Sequence, residues 1–276
     1  TAADAAALRG GTRREKNPWS DLGRKLYEMR DKLKNGEDGM EDPEVQALWL
    51  EAIEIARKLA EELGIDLQEF ELSPYTLPMI MLAMLDASDL PPEGAQSAAL
   101  DALVEAAEGD WKTFMADRAG LTKLEARLEM VKMTGAMFDG VWGSMTPDQR
   151  AIFDKVDMLA RDRWAQPNSI INGGRQEVSR SVLASWTNDL GLSEAQSLAV
   201  KPVVDDYVRR YSELQADFAR RAAAGTPPGP TEKALATTGL MVDAQKQLSK
   251  TVTLDDAQQE KLKSWGVIYG VGVEGE

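Results

Sequence analysis

Glu125 with Glu129, and Asp154 with Asp157, are carboxylates three or four residues apart, so each pair would share one face of a helix. Paired carboxylates can hold a hard cation or divide acid and base duties. A solvated helix face carries the same spacing and is the plainer reading of both pairs. Beyond them, the chemistry is bounded by elimination. The 276 residues include no histidine and no cysteine. That removes the commonest general base, the commonest metal ligand and every thiolate route. A nucleophile–histidine–acid triad cannot be built, nor can the Glu-x-x-His ligand set of di-iron bundles. No Walker loop and no dinucleotide fingerprint occurs. Gly173-Gly174-Arg175, ahead of a helical stretch, could present amides to an anion, although an ordinary turn accounts for it. No catalytic, cofactor-binding or metal-binding residue is assigned, and the chain reads as something other than an enzyme.

The elements that would position any site are helices. Ser20 to Lys34 carries Leu22, Leu26, Met29 and Leu33 at helical spacing. Asp42-Pro43-Glu44 is a helix start, with Asp at the cap, Pro at N1 and an acid at the positive end of the dipole. Val45, Leu48, Trp49, Ala52, Ala56, Leu59 and Leu63 form its stripe. Leu77 to Leu85 is apolar nearly all round, as a buried helix or a contact surface would be. An alanine-faced helix is expected over Glu93–Ala107, ended by Gly109-Asp110. One long helix is expected over about 111–138, because Phe114, Leu121 and Leu128 fall seven apart, with Leu124, Val131 and Phe138 as a second series. Ala165 to Gly174 reads as loop. Pro202 should kink or break the helix around it. No period-2 pattern persists, so the chain is all-α: a multi-helix bundle, with two helical subdomains as an option. The organisation expected is a flexible lead with a helix over 1–41, a main helical domain over 42–221, a linker over 222–230, and C-terminal helices with an apolar tail over 231–276.

Three helix starts share one phrase: Met145-Thr146-Pro147-Asp148-Gln149, Leu192-Ser193-Glu194-Ala195-Gln196 and Leu254-Asp255-Asp256-Ala257-Gln258. Each places an apolar residue before a capping residue and a Gln at N3. The cap can accept from the N3 amide while Gln reaches back, a capping box. Thr146, Gln149, Ser193, Gln196, Asp255 and Gln258 are therefore assigned as caps rather than ligand-binding residues. The phrase resembles the Leu-Thr-x-x-Gln starts of the LTxxQ-motif periplasmic proteins, the Spy/CpxP-like stress chaperones and related metal-resistance sensors. That resemblance implies an all-helical, cradle-shaped envelope protein that holds unfolded clients or a sensor partner. Only Thr146 matches the family's Thr, the chain is about twice the family's usual length, and the lack of His sets it apart from the metal-sensing branch.

Charge and apolar surface bound the partner. The formal net charge is −14. Residues 43–110 hold 2 basic and 15 acidic side chains, so that segment carries nearly all of it. Phosphate backbones need a basic face, which argues against nucleic acid. No apolar run approaches the ~18 residues of a membrane span. The partners expected are other polypeptides, cationic or unfolded, with an oligomer open. Met79, Met81 and Met84 read as core filler or as an adaptable contact surface. The Gly-rich apolar tail over 266–273 could add to a partner as a strand or pack on its own domain. Met79, Met81, Met84, Ile268 and Tyr269 are the candidate partner-binding residues. The function expected is a non-catalytic, chaperone-like polypeptide-binding protein of the cell envelope. A structural or assembly subunit is the alternative, and the cytoplasm the alternative location. The opening Thr1 fits a removed leader.

Overall fold

The computed structural model describes residues 18–35, 42–63, 77–153 and 167–273. Residues 1–17 of the lead, the glycines at 36 and 39 that would end its helix, Gly64 as the stop expected after the Leu63 stripe, Ser73-Pro74 as the start expected before Leu77, and the Asp154/Asp157 pair lie outside the described residues. Among the described residues there are ten helices and two short strands, and the protein is all-α in character. The helices are α1 (Pro18–Asn35), α2 (Pro43–Leu63), α3 (Leu77–Ala87), α4 (Gly94–Asp117), α5 (Lys123–Ser144), α6 (Pro147–Ala151), α7 (Arg175–Leu190), α8 (Glu194–Ala223), α9 (Pro230–Thr251) and α10 (Asp256–Ser264). The strands are β1 (Ser169–Gly173) and β2 (Tyr269–Val273).

The chain divides into two compact units, one of Thr1–Ala116 with Met130–Trp164, the other of Asp117–Glu129 with Ala165–Glu276. The chain thus passes between the units after Ala116, after Glu129 within α5, and after Trp164. Residues 222–230 lie wholly within the second unit, where they end α8, turn and begin α9, and Arg221 pairs with Glu232 across the turn.

In the first unit α1 packs on both α2 and α3. Leu22, Leu26 and Met29 of α1 and Val45, Ala52 and Leu59 of α2 are buried, as their spacing predicts. A Cβ added at Gly23 would lie 2.4 Å from the Ala83 Cβ, so α1 and α3 approach with backbone almost against backbone. Trp142 stacks on Phe138 at 6.2 Å and meets Phe153 edge-on at 6.4 Å.

The single helix expected over about 111–138 is two. α4 runs unbroken through Gly109-Asp110 to Asp117, a 3-10 turn covers Arg118–Gly120, and α5 begins at Lys123. The break is a helix start: the Thr122 hydroxyl accepts from the Glu125 amide at 3.2 Å, and the Glu125 carboxylate accepts from the Thr122 amide at 2.9 Å. Glycine and a Thr-x-x-Glu capping box outweigh the seven-residue repeat, which crosses the break by coincidence of spacing.

The second unit is built on α7, α8 and α9. Val178, Val182, Trp186 and Leu190 of α7 and Val204, Tyr207, Val208 and Tyr211 of α8 are buried in one core with Met241 and Leu248 of α9 and Leu262 of α10. α8 continues through Pro202 without ending. The carbonyl of Leu198 then lacks its usual i+4 donor, and Leu198 is 73% exposed, so water can supply it. The apolar tail packs on its own unit. β2 pairs in parallel with β1, with Ser169 opposite Tyr269 and Gly173 opposite Val273. β1 occupies the stretch expected to be loop. The glycines of β2 have steric reasons: a Cβ at Gly270 would meet Pro167 at 2.5 Å, and one at Gly272 would meet the Asn172 side chain at 2.1 Å.

Candidate functional site

The helix starts at Thr146, Ser193 and Asp255 are all capping boxes. In each, the cap side chain accepts from the N3 amide and the N3 Gln oxygen accepts from the cap amide. The Gln side chains then do more than cap. Gln196 Nε2 donates to Gln258 Oε1 at 2.9 Å, and Gln258 Nε2 donates to Gln196 Oε1 at 3.1 Å. Their second amide hydrogens go to backbone carbonyls just ahead of the partner motif, Gln196 to Thr253 and Gln258 to Gly191, each at 2.9 Å. Two helix starts 62 residues apart are thereby tied by a closed ring of amide bonds.

The first unit repeats the device. Gln149 Nε2 donates to Gln96 Oε1 at 3.2 Å and Gln96 Nε2 to Gln149 Oε1 at 2.7 Å. The outer bonds run to Leu90 O and Ser144 O at 3.0 and 2.9 Å. Gln149 is only 5% exposed and Gln258 8%, so these amides must find partners within the protein. Gln96 is the member that sequence reasoning missed. Its stretch, Leu90-Pro91-Pro92-Glu93-Gly94-Ala95-Gln96, has the apolar residue and the Gln but no short capping side chain before the helix.

The five candidate partner-binding residues are core. Met79, Met81 and Met84 are 1, 3 and 0% exposed, beneath α1 in the first unit. Ile268 and Tyr269 are 1 and 8% exposed in the second. A helix apolar on all sides is one enclosed on all sides. The methionines fill that enclosure and offer a folded-state partner nothing to touch. Among the described residues, the large apolar side chains that do face solvent are Leu50, Leu90, Ile170 and Leu198.

Several polar groups of the second core are held by fixed partners. The Tyr207 hydroxyl donates to the Tyr269 carbonyl, and the Tyr269 hydroxyl and Trp265 Nε1 both donate to Asp189. Burial holds the Tyr211 phenol up at about 12 and Tyr207 well above its ordinary value. Burial, reinforced by the Asp189 carboxylate, raises Tyr269 as well. None of these phenols can exchange a proton near neutrality. Glu125, one of the paired carboxylates, is committed to its cap: burial pushes it up, but the Thr122 amide and Lys246 outweigh burial and leave it below the usual range. Among the described residues, no group of three or more acidic side chains is arranged to hold a metal ion.

One cleft of about 600 Å³ opens between α7 and α8, lined by Arg175, Arg180, Lys201 and Arg209 with Leu183 on its apolar side. Gly174, the residue singled out beside Arg175, is the N-cap of α7 and supplies no side-chain cap. No helix of the described residues is long and apolar enough to cross a membrane. No family model, no curated protein and no solved structure matches the chain.

Proposed function

We propose that the protein is a non-catalytic, helical polypeptide-binding protein of the bacterial cell envelope, with chaperone-like activity. The observation that carries this reading is the repeated lock of capped helix starts, Gln96 with Gln149 and Gln196 with Gln258. Its motif is the part of the chain that resembles the LTxxQ periplasmic proteins, and the envelope location rests on that resemblance. The lock ties helix ends together by polar bonds, which leaves helix faces free for a client. The side chains available to one are Leu50, Leu90, Ile170 and Leu198, each large, apolar and exposed. The acidic segment 43–110 would keep a loaded complex soluble and favour cationic clients.

The test is suppression of aggregation of a reduced, unfolding client at stoichiometric ratio, with Ile170→Glu and Leu198→Glu beside the parent. Both side chains are solvent-facing, so the variants should fold as the parent does. The parent should delay aggregation and the variants should lose part of that protection. If the parent protects no client and binds no hydrophobic dye, the chaperone reading fails, and a structural or assembly subunit takes its place.

A further inference from the structure

We infer that the protein is an internal duplication: residues 88–153 and 188–262 are two copies of one module, in which Gln96 and Gln149 are the counterparts of Gln196 and Gln258. The first observation lies in the chain. At a shift of 100 residues, Asp89-Leu90 matches Asp189-Leu190 and Ala95-Gln96-Ser97 matches Ala195-Gln196-Ser197. Val104, Ala116 and Asp117 match Val204, Ala216 and Asp217 at the same shift. At a shift of 104, Thr134-Gly135-Ala136-Met137-Phe138-Asp139 agrees with Thr238-Gly239-Leu240-Met241-Val242-Asp243 at four of six positions. At a shift of 109, Met145 to Gln149 falls on Leu254 to Gln258, and Phe153 on Leu262. The blocks keep one order, and the shift only grows. The added residues enter around the turn between α8 and α9, and around the end of α9 and the turn after it. Connections are where insertions cost least.

The second observation lies in the fold. α4, α5 and α6 correspond in order to α8, α9 and α10, and α5 and α9 each have 22 residues. Burial keeps the register of the chain. Leu100, Val104 and Trp111 are buried, as are Val200, Val204 and Tyr211. Thr134 and Met137 are buried, as are Thr238 and Met241. An amphipathic helix needs an apolar stripe, but nothing in that need sets a buried threonine three residues before a buried methionine in both copies. The lock agrees as well. Gln96 and Gln196 donate to the carbonyls of Ser144 and Thr253, each the residue just ahead of the later motif. Gln149 and Gln258 donate to the carbonyls of Leu90 and Gly191, each shortly ahead of the earlier helix. Capping explains a Gln at N3. It does not explain the same pairing of first with third helix through the same two carbonyls. The inference rests on this correspondence alone and is separate from the client-binding reading.

The experiment is urea unfolding of two full-chain grafts, followed by far-UV circular dichroism. Each graft replaces residues 88–100. The counterpart graft inserts the sequence of 188–200. The control inserts that of 141–153, which also brings a capping box, a glutamine at position 96 and apolar residues at 92 and 100, but comes from the third helix of the module. The counterpart graft should unfold within about 0.5 M urea of the parent, and the control should lose about 1 M or more, or fail to fold. Adding Gln149→Ala should lower the midpoint of the counterpart graft as it lowers the parent's, because the transplanted glutamine makes the same bonds. The duplication is overturned if both grafts are tolerated equally, since any capped start would then serve. It is overturned too if the counterpart graft fails as the control does, or if Gln149→Ala leaves its midpoint unmoved.

Discussion

A glutamine at N3 can satisfy one orphan amide of its own helix, and in this protein it also spends its remaining hydrogen-bonding capacity on a second helix start. Gln258 accepts from the Asp255 amide, exchanges bonds with Gln196 and donates to the Gly191 carbonyl. Truncation would leave several of those groups unpaired in a nearly closed site. Gln258→Ala should therefore cost about 2–3 kcal/mol, more than a simple cap, since each lost bond is worth ~1 kcal/mol and stranded partners add to it. The double variant with Gln196→Ala should cost less than the sum of the two single changes, by about 1 kcal/mol, in urea-denaturation midpoints. Strict additivity would mean that the two amides are not coupled. The three capping boxes were legible because Ser, Thr or Asp followed by Gln at N3 is a local rule. Gln96 was not, because it joins through its side-chain amide alone. Thr122 with Glu125 obeys the same rule and was hidden by a seven-residue repeat that ran across it.

At the level of helices and strands, glycine has two opposite meanings in this chain, and contact geometry separates them. Gly23 stands where α1 nearly touches the backbone of Ala83, whereas Gly109 lies within α4 with open space where its Cβ would be. Gly23→Val should destabilise the first unit by about 2–3 kcal/mol or more through overpacking. Gly109→Ala should stabilise it by ~0.5–1 kcal/mol, because only helix propensity changes. Thermal melts of the two variants should move in opposite directions, and a shift of the same sign in both would contradict the close crossing of α1 and α3. The sequence presents Gly109-Asp110 as a helix end and gives no sign of the contact at Gly23, since local pattern carries no information about what packs opposite. β1 was illegible for a related reason. Its Ser, Asn and Gly residues have little strand preference, and β2 supplies the hydrogen-bond partners that make it a strand.

Across the whole molecule, the apolar stripes, the all-α class and the option of two helical subdomains were readable, while where the units divide was not, because each is assembled from two separate stretches of chain and one crossing lies inside α5. The second unit buries three phenols together, and this gives it a pH limit. In the unfolded chain each tyrosine would lose its proton near pH 10. Burial raises all three in the folded unit, Tyr211 to about 12. The folded state thus retains protons that the unfolded state has released, and stability falls as pH rises through that interval. The contribution is complete below about pH 10 and is lost progressively above it. An alkaline titration should show delayed tyrosinate absorbance that appears together with a change in tryptophan emission. Gradual ionisation near pH 10 with the emission unchanged would show that the phenols are not enclosed. The pairing of β1 with β2 bears on biosynthesis as well. Residues 169–173 wait for residues 269–273, so about a hundred amino acids must be translated between the two halves of one ladder. While the ribosome is still adding α8, α9 and α10, β1 has no partner strand and Trp186 of α7 lacks the Trp265 ring that packs edge-on against it. The nascent second unit is then exposed to proteases and to other chains for longer than any helix hairpin within it, and completion of the unit must follow, rather than accompany, its synthesis.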